Sequence, residues 1–372
     1  MTTLGLGRVK GIEIRLDFSW FIVFILFSWT LAAYYFPYHY PHWSPGLNWG
    51  MGILACLLLF VSVLLHELAH SLVAQRRGEE VKSITLFILG GVAQISKDPA
   101  TPYAEFTMAI AGPLASFILG VIFLGLKLWL TPFSEALGAL TTYLVYVNFI
   151  LAVFNLLPGY PMDGGRVLKA VLWKITGNLK RATQLATKVG TGIAFFFIFF
   201  GLFQVLAGLW LNGLWIIFIG WFLHQASSQS YQQVLLKDFL RGIKAKDIMS
   251  QDFAIVPPQT SLKTLTDEYI LKKGQRAFFV GNKDNILGII CLDDVKKVPP
   301  QNQEATFVKD IMTPKIALKT VSPEDDAMEV LHRLSTLNVH QIPVVINNDH
   351  ILGIITRQDF LRWLQVRTEW ER

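Results

Sequence analysis

The chain has 372 residues, 52% hydrophobic and only 16% charged, against about 25% charged in ordinary soluble domains, which excludes a cytosolic enzyme of usual composition. Its net charge of +6 is too modest and too scattered to form a phosphate-binding face, so no nucleic-acid partner is expected. Two cysteines, Cys56 and Cys291, support neither a disulfide framework nor a four-cysteine metal site. The charges are unevenly spread: residues 1–226 hold 14 Lys/Arg and 9 Asp/Glu, whereas the shorter segment 227–372 holds 19 and 18. A membrane body is joined to a soluble tail.

A spanning helix needs about 20 apolar residues. Such stretches occur near 18–36, 50–72, 106–130, 139–157, 188–208 and 210–225, which predicts about six transmembrane helices. The first is read as a retained span, because no compact apolar core with a small-residue cleavage site precedes it. Residues 84–95 (ITLFILGGVAQI) are apolar but too short to cross. Their β-branched residues and Gly90–Gly91 predict a re-entrant extended segment, tolerated at depth only against protein or water. Residues 9–16 alternate apolar and polar, as an interfacial strand would.

Lys and Arg placement sets the orientation. Arg8, Lys10 and Arg15 precede the first span; Arg76, Arg77, Lys82 and Lys97 follow the second; six more lie from Arg166 to Lys188. The connections 37–48 and 131–138 have none. The N-terminus, 73–105, 159–187 and the tail are therefore expected on the cytoplasmic side of a prokaryotic inner membrane, with the ring-rich run Tyr34–Trp49 outside.

Near the cytoplasmic end of the second span stands His66-Glu67-Leu68-Ala69-His70. Histidines four residues apart share a helix face and can reach one metal ion, and the glutamate beside them can take a proton from metal-bound water. Ionisable groups at membrane depth are costly enough to need a reason. A catalytic zinc takes three protein ligands, so one more must come from elsewhere. Asp163 is the leading candidate, in the helix-breaking segment Asn155-Leu-Leu-Pro158-Gly-Tyr-Pro161-Met-Asp163-Gly164-Gly165 after the fourth span. Glu105 competes, but it precedes the third span like an N-terminal residue favoured by the helix dipole.

His66-Glu67-x-x-His70 paired with Asn155-x-x-Pro158-x-x-Pro161-x-Asp163-Gly164 resembles the site-2 proteases, zinc metalloproteases (peptidase M50) that cut substrates inside membranes. The resemblance covers most of residues 10–225. Gly90–Gly91 looks like the family's glycine-bearing re-entrant segment, and Ala111-Gly112-Pro113-Leu114 like its AGPL-type motif. Ser116 stands near a position where many members carry Asn, a departure expected to matter little for zinc. The resemblance implies that His66, His70 and Asp163 hold one Zn2+, that Glu67 activates the zinc-bound water, and that Asn155 binds substrate backbone or stabilises the oxyanion. Asn148, seven residues earlier, is expected to pack helices together.

The tail contains a repeat. Lys246-Asp-Ile-Met249 recurs as Lys309-Asp-Ile-Met312, and Ile286-Leu-Gly-Ile-Ile290 as Ile351-Leu-Gly-Ile-Ile355. Each half reads as α/β and is too small to bury a large core alone. The pattern resembles a tandem CBS pair, an adenosine-nucleotide-sensing module. The resemblance implies an ATP-like or other adenosine nucleotide held by Thr356 and Asp359 after the last strand. The matching first-repeat segment, Cys291-Leu292-Asp293-Asp294, keeps Asp294 but loses the Thr, which weakens that cleft.

The expected organisation is thus a polytopic α-helical membrane protein with a re-entrant β segment, followed by a soluble α/β tandem CBS domain. Its parts are a transmembrane metalloprotease domain (1–226), a linker (227–245) and CBS repeats at 246–300 and 309–368. The expected activity is zinc endopeptidase cleavage of membrane-spanning proteins embedded in the bilayer, with homodimerisation through the CBS pair. The alternative is a CBS-regulated channel or transporter whose His/Glu/Asp cluster binds an ion. A zinc-bound inactive scaffold fits less well, since it would not need Glu67. His39 and His42 are expected as interfacial side chains among the outer-loop rings, His332, His340 and His350 lack metal spacing, and His224 is expected among headgroups.

Overall fold

A computed structural model describes residues 3–88, 90–95, 99–240, 242–272, 274–282, 285–337, 339–346 and 350–370. Leu89 of the expected re-entrant segment and Lys97 of its positive flank lie outside these residues. The chain divides into two units, Met1–Leu235 and Leu236–Arg372.

In the first unit, two strands, β1 (Thr3–Val9) and β2 (Ile12–Asp17), lead into α1 (Phe18–His39). There follow α2 (Pro45–Arg76), β3 (Val81–Phe87), β4 (Gly90–Ile95), α3 (Pro102–Leu130) and α4 (Glu135–Asn155). The short α5 (Asp163–Thr176), α6 (Leu179–Leu206) and α7 (Trp210–Leu240), whose last five residues belong to the second unit, complete the series. The long helices begin where side-chain acceptors meet orphan N–H groups. Asp17, Ser44, Thr101, Ser134 and Asn178 cap α1, α2, α3, α4 and α6, and Pro45 and Pro102 follow two of these caps.

Five helices among the described residues (α1, α2, α3, α4 and α6) are long and apolar enough to span a bilayer. Between 17% and 44% of each apolar window is buried within the protein, so the remaining apolar surface requires hydrocarbon around it. The sixth span expected at 210–225 forms the start of α7 but does not join this set. Asn212, Gly213, Gly220 and His224 dilute its apolar character over a window of spanning length. Trp20, Phe36, Phe60, Tyr143 and Leu144 pack α1, α2 and α4 together.

The expected re-entrant segment is a β-hairpin within a larger sheet. Strand order is β1-β2-β3-β4; β2 pairs parallel with β3, and β3 antiparallel with β4, matching Leu86 to Gly91 and Ile84 to Ala93. Residues 12–16 form the anticipated strand, and their alternation buries Ile12, Ile14 and Leu16 on one face. Ile12, Ile14, Val81 and Ile84 cluster with Ala74 of α2 and Met108 of α3. This contact fixes the sheet against the two helices that carry the site, and leaves β4 at its edge.

The second unit contains α8 (Ala245–Ile248), β5 (Ile255–Val256), β6 (Ala277–Gly281), β7 (Ile286–Cys291), α9 (Val308–Ile311) and β8 (Thr313–Pro314). Then come α10 (Ala327–Thr336), β9 (Gln341–Ile346), β10 (His350–Thr356) and α11 (Arg357–Trp370). The repeats exchange their leading segments. Ala245 and Ile248 enter the core of the second repeat with Val330, Leu334 and Ile355, while Val308 enters that of the first with Leu262, Phe278 and Ile290. Ser250 bridges Ile354, and Thr313 pairs with Ile289. Each repeat therefore completes the other's core.

Candidate metal centre

Helix periodicity places His66 and His70 on one face of α2, both rings buried. Asp163 is the first residue of α5, delivered by the Pro158–Pro161 segment that ends the run of α4. Its Oδ2 lies 3.0 Å from the Nε2 atoms of both His66 and His70, and the two Nε2 atoms are 3.3 Å apart. Three potential ligand atoms from two distant stretches converge as anticipated.

The far side of each ring decides what this cluster can hold. His70 Nδ1 lies 2.6 Å from the carbonyl oxygen of Met108. A carbonyl only accepts, so Nδ1 carries the proton, and a neutral ring then presents a lone pair at Nε2. That lone pair faces the Asp163 carboxylate, another acceptor. A cation between them turns the repulsion into coordination. The separations approach the ligand–ligand edge of roughly 3.3 Å for a tetrahedron with about 2.0–2.1 Å bonds, so the residues present fit zinc. The space is kept open by Gly112 of α3, where a Cβ would lie 2.1 Å from His70 Nε2 and 2.6 Å from His66 Nε2. The Asp163 side chain is 13% exposed against 4% and 5% for the histidines, leaving access from its side.

Ser116, expected to matter little, lies buried with its Oγ 2.8 Å from His66 Nδ1, where it orients that ring. Glu105 does stand in the first turn of α3, as expected, but it is withdrawn from the cluster. Its buried Oε1 is 3.0 Å from Arg166 Nε and 2.9 Å from Lys169 Nζ. Asn148 packs α4 on α2 as anticipated, its Nδ2 donating to Ser62 Oγ at 3.1 Å and to the Leu144 carbonyl. Asn155 ends α4 and donates Nδ2 to the Leu151 carbonyl at 3.0 Å; among the described residues it makes no bond to the histidines or Asp163. Glu67 likewise forms no hydrogen bond among them, and β4 runs beside it: a Cβ on Gly91 would fall 2.5 Å from Glu67 Cγ. Of the other histidines, His42 joins Glu135 at 2.8 Å, and His224, expected among headgroups, packs its ring on Phe195.

In the second unit, Thr356 and Asp359 line a cavity of about 510 Å3 together with Arg276, Arg357, Arg362 and Gln341. Thr356 donates from both N and Oγ1 to Asp359 Oδ2 at 2.7 Å. Asp294 does not line this cavity; it accepts from the Cys291 backbone at 3.2 Å and from Lys297 Nζ at 2.9 Å. Burial, then the nearby Asp294 and Asp293, push the Cys291 thiol up to about 12, so it stays neutral where the second repeat has a threonine.

A buried two-histidine, one-carboxylate cluster with Glu67 beside it, set among apolar helices, has the make-up of a membrane metallohydrolase site. Comparison with known proteins specifies which. The model of peptidase family M50 matches residues 54–137 and 131–199, and the CBS domain model matches 245–300 and 308–366. The chain is 34% identical to the Synechocystis sp. protein sll0528, provisionally named a zinc metalloprotease, over 97% of this chain and 95% of the relative. It is 31% identical to the zinc metalloprotease MJ0392 of Methanocaldococcus jannaschii, over 98% and 96% respectively. A solved site-2 protease from that archaeon matches 61% of this chain and 94% of its own at 31% identity, with a TM-score of 0.42. The chain belongs to peptidase family M50, the site-2 protease-like zinc metalloproteases, in a form carrying a pair of CBS domains.

Proposed function

We propose that this chain is an intramembrane endopeptidase that hydrolyses peptide bonds of membrane-spanning proteins, as in regulated intramembrane proteolysis. The observation that carries the reading is the convergence of His66, His70 and Asp163 on one point within a bundle of apolar spans. These three residues would hold zinc, which supplies Lewis acidity to water and to the scissile carbonyl. Glu67 takes the proton from the attacking water and returns it to the leaving nitrogen. Asn155, at the end of α4, offers its amide to the substrate backbone.

Peptide bonds in a spanning helix are hydrogen-bonded to one another and shielded from water, so the substrate must unwind before attack. The outer edge of β4 offers main-chain groups to an unwound segment by strand addition. Gly91 of this strand faces Glu67, which brings a strand paired with β4 towards the proton carrier. The positive flanks favour a cytoplasmic side for the site, with the CBS pair in the cytoplasm. There the Thr356–Asp359 cavity takes an adenosine nucleotide that tunes proteolysis, and the CBS pair is the dimerising element.

The test is Glu67→Gln in proteoliposomes with a single-span substrate, cleavage and zinc content being measured together. Loss of cleavage by about 10²–10⁴-fold with zinc retained supports the reading. Undiminished cleavage removes Glu67 from the mechanism.

A further inference from the structure

Four residues of α3 meet the site at i, i+3, i+7 and i+11: Glu105, Met108, Gly112 and Ser116. This spacing is one helix face. The Met108 carbonyl and Ser116 Oγ fix the outer nitrogens of the two histidines, and Gly112 leaves the space between the rings. Glu105 touches neither ring and instead grips α5 through Arg166 and Lys169. Those two stand three and six residues after Asp163, whose own placement needs such a hold: Met162, which caps α5, makes no side-chain capping bond. Among the described residues, the polar atoms within hydrogen-bonding distance of Asp163 Oδ2 are the Nε2 atoms of the two histidines.

We propose that Glu105 is a positioning residue for the third metal ligand. By binding Arg166 and Lys169 from the stripe that also fixes the histidines, it registers Asp163 against His66 and His70. The proposal rests on the reading of those three residues as a zinc site. The charges reinforce the geometry. Glu105 is almost wholly buried, and Arg166 and Lys169 are 24% and 12% exposed. Without its carboxylate, two little-solvated cations would remain next to a site meant for a dication. Zinc binding would then lose both the placement of its carboxylate ligand and the screening of its neighbours.

The experiment compares full-length wild type, Glu105→Gln, Glu105→Asp and Lys169→Met in detergent micelles. It measures zinc affinity by chelator competition, thermal stability of the metal-free protein, and cleavage at limiting and saturating zinc. The expected result for Glu105→Gln is a zinc dissociation constant raised roughly 10- to 100-fold, the range for lost partners of metal ligands, with most cleavage restored by saturating zinc. Glu105→Asp keeps the charge and recovers part of the affinity. Lys169→Met removes one of the two contacts, leaves the carboxylate, and raises the constant less. A merely structural ion cluster would lower metal-free stability and leave the zinc constants at the wild-type value, which overturns the proposal. Should Glu105→Gln fail to fold, unchanged affinity in both Glu105→Asp and Lys169→Met overturns it equally. A wild-type chain that binds no zinc refutes the parent reading and this inference with it, whereas zinc binding by wild type and variant alike refutes only the inference.

Discussion

Gly112 of α3 faces His70 of α2 so closely that a single methyl group would fall 2.1 Å from its Nε2. The absence of a side chain there keeps a ligand-sized volume between the two rings. Gly112→Ala is therefore expected to lower zinc affinity at least about tenfold. The substitution also raises intrinsic helix propensity by about 1 kcal/mol, so overall stability need not fall. Zinc titration with thermal unfolding separates the two effects. Wild-type zinc affinity in Gly112→Ala would show that the helices give way and that the volume has no such role.

Gly91 and Glu67 form a second close pair, with different consequences. A Cβ at Gly91 would stand 2.5 Å from Glu67 Cγ and 3.2 Å from its Cδ. Gly91→Val must displace the glutamate and add a branched side chain to the edge strand proposed to receive substrate. Cleavage should fall by about 10²-fold or more, the lower range for a displaced acid–base group. The zinc content should hold near one per chain, because the three atoms nearest a Cβ there, Glu67 Cγ, Glu67 Cδ and Leu86 Cδ2, belong to none of the three candidate ligands. Metal analysis alongside the cleavage assay checks this. Loss of zinc in Gly91→Val would mean that the hairpin supports the metal cluster rather than the reacting peptide.

What could be read from the sequence follows from the range of each interaction. His66 and His70 lie within one turn of one helix, and their shared face needs no tertiary information. Asp163 was legible because two prolines and a run of glycines mark where irregular backbone follows a span. The partners behind the ligands were not. Ser116, the Met108 carbonyl and Gly112 act only once α3 packs on α2, and the one available trace was their 3-4-4 spacing with Glu105. Glu105 itself read correctly as a first-turn acid, but its pairing across to Arg166 and Lys169 depends on tertiary packing. The segment 84–95 was legible as extended, whereas its pairing with residues 12–16 required the α1–α2 crossover. The run 210–225 looked long enough to be a sixth span, yet Asn212, Gly213, Gly220 and His224 keep α7 outside the set of helices apolar enough over a spanning length. In the tail, the repeat revealed two similar halves, but similarity cannot say which half a segment completes. The Lys246–Met249 motif opens the first repeat and contributes to the core of the second.

The two CBS repeats differ where a nucleotide would be held, and the difference gives a stoichiometry. In the second repeat, Asp359 Oδ2 is engaged by Thr356 while Oδ1 accepts no hydrogen bond among the described residues, and the residue lines the cavity. A carboxylate oxygen with free lone pairs suits the vicinal hydroxyls of a ribose, which can donate to it. Arg276, Arg357 and Arg362 around the same cavity suit phosphate. In the first repeat, Asp294 is held by Lys297 and the Cys291 backbone, and the neutral Cys291 thiol offers only a weak donor. Titration of the full-length protein with AMP and ATP by calorimetry should therefore give one site per chain. Asp359→Ala should weaken it about tenfold or more, the worth of one charge-assisted hydrogen bond, and Asp294→Ala should leave it within about twofold. Two equivalent sites, or a larger loss in Asp294→Ala than in Asp359→Ala, would reverse the assignment of the cleft.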